Sequence, residues 1–427
     1  MVLIDIPPDL ETRFFVQSEN ALSDLPELLA AAFPGKTPFL IADENTWRAA
    51  GQKLERGLAC CGRTWKKRIF PARPRLHPDC AISEELAGEF HAEQVPVAVG
   101  SGVINDLVKY ASGLAGVRYC CVPTAASVDG YTSSGGAMLN CGIKMTMPCP
   151  APYAILSDLA VLRAAPPEML SGGYADLATK IPAGADWYIA DAFGEEPIDW
   201  KVWDLVQKPL REYLRDPQDC GPVFAGLAAT GYAMQMYGGS RPASGFEHLC
   251  SHVWEMEHLT FRGEAPSHGF QVGIGSLISL QLMEFVMDHS VAAARQLAAP
   301  PPTISERERE IFALLEHRDY AATVKKVAMA KFLSGEAILH RREEIWRQWE
   351  SLREKLRRQL PEFAVFRARL QAAKCPVHPA DIGLSREMFY HGVRTAQLIR
   401  NRYTIADLLF EAGLWETALP ELEKLWE

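Results

Sequence analysis

The stretch VPVAVGSGVINDLVKYASGLA, residues 95–115, limits the fold more than any other. A short apolar run meets a glycine turn and passes straight into an amphipathic helical period. The pattern recurs. TPFLIADENTW (37–47) is an apolar run ending at Asp43, VRYCCVPTAASVDGYT (117–132) is another ending in a small-residue loop, and YAILSDLAVLRAAP (153–166) supplies one more. Strands that alternate with helices form a parallel sheet with crossover helices, and ligands of such sheets sit at the carboxyl ends of the strands.

From about residue 166 the texture changes to helical. PPEMLSGGYADLATKIPAGADWYIADAF has proline in its first turn and few β-branched residues. The segment 304–360 carries dense mixed charge with apolar residues three and four apart, which reads as a solvated amphipathic helix pair. The expected organisation is an α/β dinucleotide-binding domain over residues 1–165 and an all-α metal- and substrate-binding domain over 166–427. With 427 residues the chain exceeds one ordinary core.

Composition excludes several classes. A formal charge of −9 opposes any coating of nucleic acid or anionic lipid. The start, MVLIDIPPDLETR, lacks the pattern of a secretory leader. FQVGIGSLISLQLMEFVM is interrupted by glycine, serine and glutamate, and reads as a buried helix rather than a membrane span. The ten cysteines include no CxxC and suit buried thiols in a reducing compartment, so a cytoplasmic protein is expected.

Several segments carry chemistry. Gly100, Ser101 and Gly102 stand between a strand and a helix, where close backbone approach and free helix amides suit a phosphate, although a plain turn has the same sequence. Thr124–Ser133 adds a second loop of small and hydroxyl residues. Asp43 ends a strand, where it serves either as a ribose acceptor or as a helix cap. Then SGFEHLCSH (244–252) puts His248 and His252 one helical turn apart, and SHGFQ adds His268. Asp176 and Lys180 share a similar spacing, whose plain reading is a salt bridge. One carboxylate and two imidazoles suit a divalent transition metal with an open position.

These residues resemble the sn-glycerol-1-phosphate dehydrogenases, a branch of the superfamily of iron-containing alcohol dehydrogenase, glycerol dehydrogenase and dehydroquinate synthase. The resemblance runs along most of the chain, through ADENTW, GSGVINDLVKYAS, VPTAASVDGYTSSGGAML, SDLAVLRAAPPEMLSGGYADLATK, GSRPASGFEHLCSH, HGFQVGIGS and RNRYTIADLL. It implies a dehydroquinate synthase-like fold and reversible hydride transfer between dihydroxyacetone phosphate and sn-glycerol 1-phosphate. It implies NAD as cofactor, with NADP as the alternative, one zinc or nickel ion, a place in phospholipid metabolism, and a homodimer or higher homo-oligomer.

Carried onto this chain, the resemblance gives Asp43 the adenosine ribose and Gly100, Ser101, Gly102, Val103 and Ile104 the pyrophosphate. Thr124, Ala125, Ala126, Ser127 and Ser133 face the nicotinamide. Asp176, His248 and His268 ligate the metal, and Asp129, Asp176 and His252 touch substrate. Lys180 stands where alcohol dehydrogenases place a further histidine ligand. Lys144, Lys180 and Arg241 are candidates for the substrate phosphate. Three positions depart from the family pattern: Ser101 replaces the middle glycine, Phe246 replaces a small residue, and Phe270 follows the glycine after His268. The alternatives are a dehydroquinate-synthase-like lyase and a glycerol dehydrogenase-like polyol oxidoreductase.

Overall fold

The computed structural model describes residues 6–140 and 143–427, and the side chains of residues 143 and 144 lie outside that description. The chain divides into two compact units. One comprises Met1–Leu177 with Lys201–Ala243, and the other Ala178–Trp200 with Ser244–Glu427.

The first unit is built on six parallel strands: β1 (Phe14–Ser18), β2 (Thr37–Asp43), β3 (Lys66–Phe70), β4 (Gln94–Gly100), β5 (Cys120–Pro123) and, after a hairpin, β8 (Ala154–Asp158). Their order is β1-β8-β5-β4-β2-β3. The hairpin strands β6 (Gly135–Asn140) and β7 (Ile143–Pro148) pair antiparallel. Every residue of β4 is buried, which is why it reads as a near-continuous apolar run. Leu40, Val97, Val99, Val122 and Leu156 share one cluster with Leu25, Leu29, Leu54 and Leu58 of flanking helices. Each such side chain contributes on the order of 1.5–3 kcal/mol on burial.

The strand order creates a switch point. From β2 the chain runs outward to the edge strand β3, and β4 then returns on the other side of β2. Connections that leave neighbouring strands in opposite directions open a crevice at their carboxyl ends. Asp43 and Gly100 end those two strands.

Helix α1 (Gly102–Ala115) follows β4 directly and buries Ile104, Leu107, Val108 and Ala111. Gly116 ends it in the left-handed region at φ 63°. Helix α2 (Pro167–Ala178) closes the first stretch of the unit. Helix α3 (Lys180–Ala192) belongs to the second unit. The sequence suggested one continuous helix through Asp176 and Lys180, but a break falls at Thr179. Pro182 has no N–H to donate to Ala178, the acceptor four residues back, so the ladder is interrupted there.

The boundary expected at residue 165 differs from these units, because the chain re-enters the first unit. Helix α4 (Cys220–Tyr237) lies against the β5–β6 loop: Thr132 Oγ1 donates to Ala228 O at 2.7 Å, and the Tyr131 and Phe224 rings are 5.4 Å apart.

The second unit is helical. Its site-bearing helices are α5 (Phe246–Met256) and α6 (His268–Asp288). Helix α6 is long and apolar enough to cross a membrane, yet 89% of its most apolar window is buried within the protein, as expected from its sequence. The mixed-charge region forms three helices rather than the expected pair, Ile304–Leu315, Ala321–Ala330 and α7 (Glu336–Gln359), with Gly335 turning at φ 59°. Ile345, Trp349, Leu352 and Leu356 form the buried stripe of α7. Helix α8 (Ile405–Ala412) completes the set used below. Buried Asp186 on α3 accepts from the first amides of two helices, Phe246 N of α5 and Ile405 N of α8, each at 2.7 Å. Among the described residues nine cysteines are free thiols.

Candidate active site

In the first unit the turn after β4 is shaped by close packing. A Cβ on Gly100 would lie 2.5 Å from Ile104 Cβ, and one on Gly102 3.2 Å from Val128 Cγ2. Glycine is needed at Gly100 for space. Ser101 has φ −86°, an ordinary value for serine, so its departure from the family pattern leaves the backbone unstrained. Its hydroxyl does not cap α1. The first-turn amides of Gly102, Val103 and Ile104 therefore keep their donors and the positive end of a 14-residue helix for an anion.

Asp43 takes the capping role. Its Oδ1 accepts from Asn45 N and Thr46 N, both at 2.8 Å, and Thr46 Oγ1 accepts from Asp43 N at 3.1 Å. The cap fixes the carboxylate at the carboxyl end of β2, beside the switch point.

The β5–β6 loop begins under the same edge, where Thr124 N donates to Gly100 O at 3.2 Å. Thr124, Ala125, Ala126 and Ser133 are buried. Tyr131 OH donates to Ala125 O at 2.6 Å and lies 3.1 Å from Ser127 Oγ. Asp129 N donates to Asp176 Oδ2 at 3.0 Å, so the loop holds the carboxylate of α2 by a backbone amide. Helix α2 can come this close because Gly173 lacks a side chain: a Cβ there would lie 1.9 Å from Ala126 O.

In the second unit, His248 and His268 face one another with ring centroids 5.3 Å apart, and His252 lies 6.4 Å from His248. Each imidazole has a carboxylate behind it. Glu247 Oε1 lies 2.9 Å from His248 Nδ1 and also accepts from Gly245 N at 2.6 Å. Glu255 lies 3.5 Å from Nδ1 of both His252 and His268. Such partners fix which ring nitrogen is left to ligate.

Burial, then the Lys180 charge, holds His248 well below its ordinary pKa, and burial brings His252 to about 4 despite Glu255. Both rings are neutral at pH 7, the form that binds metals. Burial, then Asp186, raises Glu247 to about 8. Helices α5 and α6 meet tightly, since a Cβ on Gly275 would lie 2.4 Å from Glu247 O. The bulk of Phe246 is absorbed in the core, edge-on to Trp415 at 6.3 Å. Phe270 is half-buried in the first turn of α6.

Asp43, the Gly100–Ile104 turn, the Thr124–Ser133 loop, Asp129 and Asp176 thus belong to the first unit. Lys180 and the three histidines belong to the second. Lys180 is buried, with Nζ donating to Thr179 Oγ1 at 3.3 Å. Arg241 is buried in the first unit, and the Lys144 side chain lies outside the described residues. Lys109, Glu247 and Glu255 were missed by sequence reasoning. The signal for Lys109 was its place on the apolar face of α1, and for Glu247 its direct precedence of His248.

Residues 16–166 match the family model described as iron-containing alcohol dehydrogenase. The glycerol-1-phosphate dehydrogenase of Halalkalibacterium halodurans is 32% identical over 270 residues, covering 61% of this chain and 67% of that protein. The Bacillus subtilis enzyme of the same name is 33% identical over 257 residues, covering 56% and 64%. That of Pyrococcus furiosus is 34% identical over 283 residues, covering 63% and 78%. The match thus spans about two thirds of the length of the two bacterial relatives.

Solved structures share the fold at low identity. A probable glycerol dehydrogenase from Sinorhizobium meliloti superposes with a TM-score of 0.57 at 15% identity, over 96% of this chain and 98% of that one. The NADH-dependent butanol dehydrogenase A of Thermotoga maritima gives 0.54 at 14%, over 97% and 98%. A phosphate-ready turn at a parallel-sheet switch point, carboxylate-backed histidines and this depth of identity agree: the chain belongs to the glycerol-1-phosphate dehydrogenase family.

Proposed function

We propose that the protein interconverts dihydroxyacetone phosphate and sn-glycerol 1-phosphate with NAD(H), using one divalent ion held by Asp176, His248 and His268. The observation that carries this reading is the His248–His268 pair, whose rings are 5.3 Å apart and are each backed at Nδ1 by a carboxylate. Asp176 is the third ligand of this reading, and one carboxylate with two imidazoles suits zinc or nickel by its nitrogen and oxygen chemistry. When bound, the ion supplies Lewis acidity at the ketone oxygen and the reduced nicotinamide supplies hydride.

The residues do the rest. The α1 amides hold the pyrophosphate, Asp43 accepts from the ribose, and Thr124–Ser127 with Ser133 border the nicotinamide. Asp129 and His252 contact substrate, His252 through the ring nitrogen turned away from Glu255, and a proton reaches the product oxygen through water or His252. Lys180 and Arg241, with Lys144, are the cations proposed for the substrate phosphate. A cytoplasmic homodimer that prefers NAD to NADP is part of the same reading, the preference resting on the Asp43 carboxylate at the end of β2.

The test is NADH absorbance with dihydroxyacetone phosphate, dihydroxyacetone and a simple aldehyde, with and without chelator. Consumption is expected with the phosphate ester alone and should stop on chelation. Comparable rates on both ketones would instead indicate a polyol dehydrogenase. Absence of any net NADH consumption would indicate lyase chemistry.

A further inference from the structure

Tyr131 and Thr132 tie the middle of the β5–β6 loop to Ala125 and to helix α4. At Gly130 and Gly135, where no side chain can hold the loop, the contact comes from helix α1. The fully buried Lys109 donates from Nζ to Gly130 O at 2.6 Å, to Gly135 O at 3.0 Å and to Ser133 Oγ at 3.3 Å. Two carbonyls five residues apart are thus drawn onto one ammonium. The nearest carboxylate oxygen, Asp106 Oδ1, is 3.8 Å away, too far for a hydrogen bond. A buried ammonium is costly unless oxygens replace its water, and here all three of its donors have one. A methionine would fill the same volume without that cost, so what lysine adds is the placement of the loop.

What the loop presents is active-site backbone. The residue before Gly130 is Asp129, whose amide holds Asp176 Oδ2 at 3.0 Å. We infer that Lys109 is a positioning residue of the active site: it staples Gly130 and Gly135 together and so sets the Asp129 amide that orients the Asp176 carboxylate. The inference rests on the reading of Asp176 as a metal ligand. One helix then does two tasks, offering anion-binding amides at its start and, two turns later, fixing the loop beside them.

The test compares the full-length protein with Lys109→Met and Lys109→Gln, without substrate or nicotinamide. Zinc affinity is measured by competition with a chromophoric chelator, and hydrogen exchange is followed at the amides of residues 129–135. Lys109→Met is expected to bind zinc about 10- to 100-fold more weakly, the range for a lost outer-shell partner, and to exchange faster across the loop. Lys109→Gln keeps two N–H donors and should fall between; it carries the comparison alone if Lys109→Met does not fold. A folded variant with zinc affinity and loop exchange within about twofold of the unmodified protein would overturn the inference. A role confined to overall stability would lower the melting temperature and leave zinc affinity unmoved, which also overturns it. Unmodified protein that binds zinc but consumes no NADH would sink the proposed reaction and leave Lys109 as assigned. If it binds no zinc, the metal reading fails and loop exchange alone decides the staple.

Discussion

Gly173→Ala asks whether the approach of α2 to the β5–β6 loop sets Asp176. The new Cβ would lie 1.9 Å from Ala126 O, 2.7 Å from Ala126 C and 3.1 Å from Ser127 Cα. These are backbone atoms and cannot rotate away. Ordinary contact requires helix and loop to part by about 1.5 Å. Overpacking of this kind costs about 1–3 kcal/mol, offset by about 0.5–1 kcal/mol because alanine favours the helix. The net loss of about 0–2.5 kcal/mol would lower Tm by about 10 °C at most in a unit of this size. Activity should suffer more than stability. Asp176 sits one helical turn beyond Gly173, and its Oδ2 is held by the same loop at Asp129 N. A misplacement near 1 Å is worth about 100-fold in rate.

The assay is kcat/KM for dihydroxyacetone phosphate beside Tm and bound metal, on the same preparations. Gly57→Ala is the control, because that glycine lies in the helix Gln52–Cys60 with nothing within 4 Å of the added carbon. It should leave activity alone and gain about 0.5–1 kcal/mol. If Gly173→Ala kept kcat/KM within about threefold and its full metal content, the close approach would not be what sets Asp176, and the reasoning would fail.

Asp43→Asn keeps the helix cap and removes the charge, so NADPH should gain on NADH with little change in Tm, whereas Asp43→Ala should also lose about 1 kcal/mol of stability; an unchanged cofactor ratio in Asp43→Asn would remove the ribose role. His248→Ala should purify with little metal, while His252→Ala should keep it and lose about ten- to ten-thousand-fold in kcat/KM, and mass spectrometry of metal content beside initial rates separates the two. Glu411 is raised to about 7, chiefly by burial, with Tyr403 OH donating to it at 2.6 Å. An acid raised on folding stabilises fully below its unfolded pKa near 4.5 and loses that contribution as pH rises through 7. Glu411→Gln should therefore flatten the fall in unfolding free energy between pH 5 and 8 by an amount on the order of 3 kcal/mol, and an unchanged slope would discount the effect of burial.

The strand ends were legible because a buried parallel strand is an apolar run, and the run stops where the sheet's ligand edge begins. Asp43, Gly100 and Thr124 were placed that way, and the structure puts the first two at the ends of adjacent strands. The histidines were legible because His248, His252 and His268 cluster within a short segment. The return of residues 201–243 to the first unit was not. Helix α4, CGPVFAGLAATGYAMQMY, is apolar on every face and so carries no direction. It docks by the absence of a side chain at Gly231, where a Cβ would lie 1.8 Å from Thr132 Oγ1. Hydropathy also misplaces Lys109, Asp186 and Glu247, since a charged residue reads as solvent-facing. All three are buried, and each holds two or more partners: Gly130, Gly135 and Ser133; Phe246 and Ile405; Gly245 and His248. A buried charge persists only where hydrogen bonds replace its water, and groups so bound hold backbone in place more firmly than apolar contacts do. A charge on an apolar helix face is therefore the sequence signal for the residues that frame such a site, as at Lys109 between Val108 and Ala111.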